Sequence, residues 1–346
     1  MPTNTLQITS TKDLVNGVLK SIERDREREI ISRRFGLFER KETLEQIGEL
    51  LGITRERVRQ LEKAVVQKLK IAGEQHALSG LDEFQANVLS IVEESGQVIR
   101  ISDLSTKIVK DSDRIEQSRI AFLCDLCPDL VVVQDDDNYH SSVANDSEYD
   151  EKSLKEAVNG IVKAVTNIGE PKKIDAIAKE ANIDDKNRAE ALASISKHLA
   201  SLNGQWGLVK WPLVNPKNIR DKIYVILKEN GRHMHFNEIS DAIKQSDFKR
   251  KDVTTQAIHN ELIKDKRFVL IGRGIYALKE WGYEKGTVAD IISQVLKEAN
   301  QPLHRDEIVK RVLKSRFVKE TTILLNLQGK PQFRRVAKAT YELAED

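Results

Sequence analysis

The chain has 346 residues and a net charge of +2, with 32% charged and 40% hydrophobic residues. No apolar run approaches the roughly 18 residues of a membrane-spanning helix, and the first 20 residues lack a signal-peptide core. Two cysteines exclude a disulfide framework, and the length predicts two or more domains.

In chain order, the first strong pattern is residues 43–70, TLEQIGELLGITRERVRQLEKAVVQKLK. Thr43, followed by Glu45 and Gln46, predicts a helix N-cap, and Leu44, Ile47, Leu50 and Leu51 recur as one buried face. Gly52 predicts a left-handed stop, and Thr54 predicts the cap of the next helix. That order of helix, Gly-containing turn and helix is the helix-turn-helix plan.

On the second helix, Val58, Leu61, Val65 and Leu69 form a narrow apolar stripe. Glu56, Gln60, Lys63 and Gln67 point the other way, with Arg55 and Arg59 on one flank and Arg57 on the other. Those side chains match the major groove: Arg to guanine, Gln to adenine, Glu to cytosine, and Lys or Arg to phosphate. From Thr54 to Lys70 there are six Lys/Arg against two Glu, a local charge of +4. The bland reading is a solvated face on a surface helix; the preceding helix and turn favour DNA reading.

Residues 28–37 (REIISRRFGL), 43–48 (TLEQIG) and 54–62 (TRERVRQLE) resemble the fourth region of primary bacterial sigma factors. The resemblance covers about residues 10–72 and implies binding to a −35 promoter element and docking on the β flap of RNA polymerase. By position it implies that Arg55, Glu56 and Gln60 read bases. Thr54, Arg57, Arg59 and Lys63 would lie at the DNA backbone, with Thr54 also capping the helix. About ten residues precede the module, and Trp206, Trp211 and Trp281 lie far downstream, so the aromatic-rich region that melts DNA in a sigma factor is not expected here.

Charge is uneven along the chain. Residues 71–215 hold 15 Lys/Arg against 25 Asp/Glu, a balance of −10, and residues 216–346 hold 26 against 18, a balance of +8. Phosphate repels the acidic middle, which therefore reads as a spacer or protein-contact region. Residues 134–151, with seven acidic residues and no Lys or Arg, read as a flexible boundary, and residues 73–80 as a separator after the first module.

Four phrases recur: GQVIRISDL from Gly96, GEPKKIDAI from Gly169, GRHMHFNEI from Gly231 and NQPLHRDEI from Asn300. Each follows an amphipathic helix, precedes another, and leads to a strand-like pair: VVVQDDDNYH, LNGQWGLVKW, RFVLIGRGIYAL and RRVAKATYEL. Tyr139, Trp206, Tyr276 and Tyr341 are expected at matching places. The fold expected is mainly α with small β wings: a helix-turn-helix domain over residues 1–75, then four tandem winged-helix units over 80–145, 150–214, 216–282 and 285–346. The last two resemble the HARE helix-turn-helix class and the δ subunit of bacterial RNA polymerase. That resemblance implies protein or DNA contacts around transcription and no catalysis. Arg267, Arg273, Arg334 and Arg335 lie on wing-like segments, as candidates for phosphate contact or as solvated charges.

Cys124-x-x-Cys127 has no second pair and reads as two buried helix thiols rather than a metal site. His235 and His304 share one slot of the repeat, which Arg100 and Lys173 fill elsewhere, so a structural role is expected rather than metal binding. No catalytic constellation, cofactor, membrane or small-molecule partner is expected. The leading expectation is a cytoplasmic, nucleoid-associated promoter reader with double-stranded DNA and polymerase core as partners. The alternative is a polymerase-docking adaptor, δ-subunit-like and competing with DNA, in which promoter reading has been lost.

Overall fold

In the computed structural model, which describes residues 10–109, 111–248 and 252–344, the chain begins with four helices. These are α1 (Thr11–Lys20), α2 (Asp25–Phe35), α3 (Leu44–Leu51) and α4 (Arg55–Glu74). Local chemistry sets their ends. The Thr43 hydroxyl accepts from the Gln46 amide at 3.2 Å and the Gln46 side chain accepts from the Thr43 amide at 2.9 Å, closing a capping box on α3. Gly52 ends α3 at φ 63°, and Thr54 caps α4 by accepting from the Arg57 amide at 3.2 Å.

Between α3 and α4 the chain turns back so tightly that the Ile53 amide reaches the Gly48 carbonyl at 2.9 Å. Gly48 is buried, and a Cβ there would lie 2.7 Å from the Ile53 carbonyl oxygen. Ile30, Ile47 and Val58 form the small core under this turn, with Leu44, Leu51, Ile53 and Leu61 half-buried around it. Leu50, expected on the buried face, is 54% exposed. A core of three residues is filled by its neighbours and leaves Leu50 overhanging.

The same order of elements then recurs four times: helix, short strand, two helices and a hairpin. The first set is α5 (Leu81–Glu94), β1 (Val98–Arg100), α6 (Ile101–Ile108), α7 (Arg114–Leu126), β2 (Leu130–Val133) and β3 (Ser142–Asn145). The second is α8 (Glu151–Ile168), β4 (Lys172–Lys173), α9 (Ile174–Glu180), α10 (Lys186–Ile195), β5 (Leu199–Leu202) and β6 (Gln205–Leu208). The third is α11 (Ile219–Asn230), β7 (Met234–His235), α12 (Phe236–Gln245), α13 (Thr255–Lys264), β8 (Phe268–Gly272) and β9 (Ile275–Leu278). The fourth is α14 (Val288–Ala299), β10 (Leu303–His304), α15 (Arg305–Ser315), α16 (Glu320–Gly329), β11 (Phe333–Ala337) and β12 (Thr340–Leu343). In every set the last strand lies in the middle of an antiparallel three-stranded sheet, as in the order β1-β3-β2.

The recurring phrase fixes a joint in each set. Its first strand runs directly into the next helix, whose N-cap is Arg100, Lys173, His235 or His304. The imidazole Nδ1 of His235 accepts from the Asn237 amide and that of His304 from the Asp306 amide, both at 3.3 Å. The shared slot is a helix cap.

The first hairpin departs from expectation. Trp206, Tyr276 and Tyr341 pair with Lys172, Met234 and Leu303 of the opening strands, but the residue paired with Ile99, at the matching place in the first set, is Val143, not Tyr139. The return strand is Ser142–Asn145, inside the acidic stretch read as a flexible boundary. That stretch is ordered because its carboxylates are used locally. Asp136 accepts from the amides of Asn138 (2.7 Å) and Tyr139 (2.8 Å), and Asp135 pairs with Lys197 at 2.9 Å. Tyr139 instead bridges to Ser196 of the second set and donates to the Asn159 side chain at 3.0 Å.

The chain divides into two compact units between Val209 and Lys210. Within the first, residues 73–80 do not separate the opening helices from the first recurring set. One apolar core holds Leu14, Val18, Ile31, Val65 and Leu69 together with Leu81, Phe84, Ile120, Phe122 and Leu126. Gly73 is buried, its Cα against the carbonyl of Leu126. Cys124 lies in α7 and Cys127 caps its C-terminus; both are free and buried, and burial pushes the Cys127 thiol up to about 12. Among the described residues no helix is long and apolar enough to cross a membrane.

Gly48→Val is expected to destabilise the first unit by about 1–3 kcal/mol, because the added carbons meet backbone rather than a movable side chain. A urea midpoint equal to that of the parent chain would show that the turn relaxes freely.

Candidate nucleic-acid interface

The first two turns of α4 project from the small core. Val58 is fully buried beneath them, whereas Arg55, Glu56, Arg57, Arg59 and Gln60 are all exposed. Lys63 and Gln67 continue that exposed side, while Val65 and Leu69 turn inward. The helix is thus divided along its length into an outward first half and an anchored second half. N-terminal residues of a helix seated this way are the ones that reach base edges.

Four of these side chains, Glu56, Arg57, Arg59 and Gln60, form a connected set. Arg59 makes a bidentate pair with Glu56, with Nε–Oε2 at 2.9 Å and Nη2–Oε1 at 2.6 Å. The Gln60 amide donates to Glu56 Oε1 at 3.4 Å, and Arg57 donates to the Gln60 oxygen at 3.4 Å. The hydrogen bond from Arg59 holds the Glu56 carboxyl below its ordinary range and raises the Arg59 guanidinium in return. A fixed, ionised Glu56 presents an acceptor-only group, which suits the exocyclic amine of cytosine. A cleft beside Arg55 and Arg57 is lined by Glu45, Glu49 and Thr54.

The remaining charge of TRERVRQLE, Glu62, and the charges of α2 have structural work. Glu62 accepts from Arg34 at 3.2 Å, and Arg33 pairs with Glu29 (3.0 Å) and Glu42 (2.9 Å), tying α2 to α4 and to the loop before α3. The exposed set on α4 is therefore what is left for a ligand once the module has been braced.

The family model for Sigma-70, region 4 matches residues 24–70. Residues 24–70 are a Sigma-70 region 4 domain. Over that part the chain is similar to RNA polymerase sigma factors. It is 50% identical over 46 residues to sigB of Arabidopsis thaliana, covering 13% of this chain and 8% of that protein. It is 44% identical over 57 residues to SigA1 of Synechococcus elongatus, covering 16% of this chain and 14% of that one. It is 36% identical over 80 residues to RpoS of Coxiella burnetii, covering 23% and 22%. The chain spans less than a quarter of the length of each of these relatives.

Outside the region 4 domain, the four wing arginines fall into two groups. Arg267 precedes β8 and is half-buried, held by Asp265 (2.7 Å) and Asp221 (3.2 Å) and stacked on Tyr224 at 5.3 Å. It anchors the hairpin to α11, which opposes its use as a free phosphate contact. Arg273 sits at the exposed tip of the β8–β9 turn. Arg334 and Arg335 are exposed on β11, Arg334 pairing with Glu342 across the strands and Arg335 donating to the Ala337 carbonyl at 3.1 Å. Of the two aspartates that engage Arg267, Asp265 is two positions away and Asp221 is 46, so the tie to α11 carries no local signal in the sequence.

Removing Arg59 should release Glu56. In Arg59→Ala the Glu56 carboxyl is expected to titrate at higher pH than in the parent, towards the ordinary glutamate value, as followed by NMR. Because the folded-state value is lowered, the pair's stabilisation is present above the ordinary value and fades as pH falls through the lowered one. An unmoved Glu56 titration would show that Arg59 does not hold it.

Proposed function

We propose that the chain is a sigma-factor-like, sequence-specific DNA-binding protein of bacterial transcription initiation, reading a −35-type promoter element in the major groove. The observation that carries this reading is exposed Arg55 beside the hydrogen-bonded set Glu56, Arg57, Arg59 and Gln60 on the outward half of α4, within a region 4 domain. Arg55, Glu56 and Gln60 are the base readers; Thr54, Arg57, Arg59 and Lys63 lie along the backbone. RNA polymerase core is the protein partner, through its β flap or another surface. The role is binding without catalysis, in the cytoplasm at the nucleoid. An adaptor that only docks on polymerase has no use for an acceptor and three cations presented together on an exposed helix start.

In the same reading the four recurring sets are winged-helix units, the last two of the HARE class. The order of helix, strand, two helices and hairpin, with the last strand central in the sheet, supports that assignment. Arg273, Arg334 and Arg335 are their candidate phosphate contacts.

Fluorescence anisotropy on a duplex carrying TTGACA and on a scrambled duplex, across a salt series, tests the proposal. A preference for TTGACA that is lost in Gln60→Ala is expected; equal binding to both duplexes would remove the promoter-reading claim. Arg55→Ala should weaken the TTGACA complex by about 1–3 kcal/mol and relax discrimination at one guanine. Arg59→Ala should weaken binding to both duplexes and flatten the salt slope by about one unit. Should the two substitutions act alike on both duplexes, the division into base and backbone contacts is wrong.

A further inference from the structure

Three helices of the first compact unit occupy the same place in their local folds, second of a consecutive helix pair: α4, α7 and α10. Their surroundings differ completely. The first two turns of α4 are bare. In α7 only Arg114 is exposed, and every later residue is half-buried or buried.

The surface that covers α7 is the region 4 domain together with α1 and the last turn of α4. The Phe122 ring packs on Phe35 of α2 with centroids 4.9 Å apart. Arg119 donates to the Leu37 carbonyl at 2.7 Å and pairs with Glu116 at 2.9 Å, both side chains being nearly buried. Asp125 pairs with Lys70 of α4 at 2.8 Å, Glu116 accepts from Thr11 at the start of α1, and the Leu126 carbonyl abuts Gly73. One helix thus touches α1, α2, the turn after α2 and the anchored half of α4.

The N-terminal end of α10, the end that would enter a groove, keeps Lys186 and Asn187 exposed but is engaged at Arg188 and along its backbone. A Cβ at Gly96, in the turn before β1, would lie 2.7 Å from the backbone of Asn187 and Arg188. The Arg188 side chain is drawn onto Tyr149, stacked at 4.8 Å and donating to its hydroxyl at 2.6 Å, and pairs with Glu148 at 3.1 Å.

We infer that α7 is the resident partner of the region 4 domain, closing that face to outside proteins, and that residues 11–209 offer DNA a single reading helix, α4. The inference deepens the proposed function and rests on it: the first two sets are a brace for one reading head, and recognition within this unit is confined to one major-groove contact. A protein that binds the chain takes a surface other than the one α7 covers. Charge supports the division, since residues 71–215 carry a balance of −10 against +4 over Thr54–Lys70.

Hydrogen exchange on the full chain tests this, measured alone, with the TTGACA duplex and with polymerase core. Residues 114–126 should keep the same protection in all three states, while the duplex slows exchange only at the start of α4. Arg114→Ala and Lys186→Ala, on the exposed starts of α7 and α10, should leave duplex affinity unchanged. Loss of protection over 114–126 with polymerase would overturn the closed face, making α7 a displaceable cover. New protection at α7 or α10 with duplex, or a loss of affinity in either variant, would overturn the single reading helix. No duplex effect anywhere, with 114–126 still protected beside polymerase, removes the DNA reading and leaves the closed face standing.

Discussion

The architecture of the first unit depends on the length of α4. Twenty residues at 1.5 Å each make a rod of about 30 Å, too long for the three-residue core under the helix-turn-helix to hold. That small core fixes only the first turns, through Val58. Val65, Leu69 and Gly73 must be buried by something else, and the chain supplies α5 and α7 for this purpose. A helix clamped at one end and bare at the other keeps its exposed side chains in fixed register with the clamp. The pre-set Glu56–Arg59 pair adds order at the side-chain level, because two long side chains enter a groove with fewer rotamers left to lose.

The same clamp explains why the opening helices and the first repeated set are one body. A region 4 segment of 47 residues is below the size at which a chain buries a core of comfortable extent. Sharing apolar residues with α5 and α7 removes that limit. The polar contacts at the seam, Arg119 to the Leu37 carbonyl and Lys70 to Asp125, then select one docking geometry among those that apolar packing alone would allow.

The helix-turn-helix was legible because its signals are local: a capping box, a left-handed glycine and a 3,4,4 apolar spacing all act within a few residues. Three of the four hairpins were legible for a related reason, since each is a short strand-like pair about a local turn; the brief strand inside each recurring phrase carries no such local signal. The first hairpin was misread because eight residues separate β2 from β3, and the aspartates among them looked like a solvated linker. The Asn138 and Tyr139 amides that donate to Asp136 make a local turn, and the Lys197 partner of Asp135 emerges only in three dimensions. Arg267 shows the same limit: its bond to Asp265 is local, but its tie to α11 runs through Asp221, 46 positions away.

The seam itself left a trace that amphipathic reading passes over. Ile120-Ala121-Phe122-Leu123-Cys124 is apolar at five consecutive positions, and a helix with one buried side needs apolar residues only three or four apart. A helix apolar all round has to be covered on more than one side. Its own three-helix set covers one; a second set of helices must cover the other. Among the segments before residue 81, α1, α2 and α4 have inward residues beyond what the small helix-turn-helix core absorbs, namely Leu14, Val18, Ile31, Val65 and Leu69. The two surpluses match, and each is the reason the other is tolerated on a chain where the surrounding surface is strongly charged.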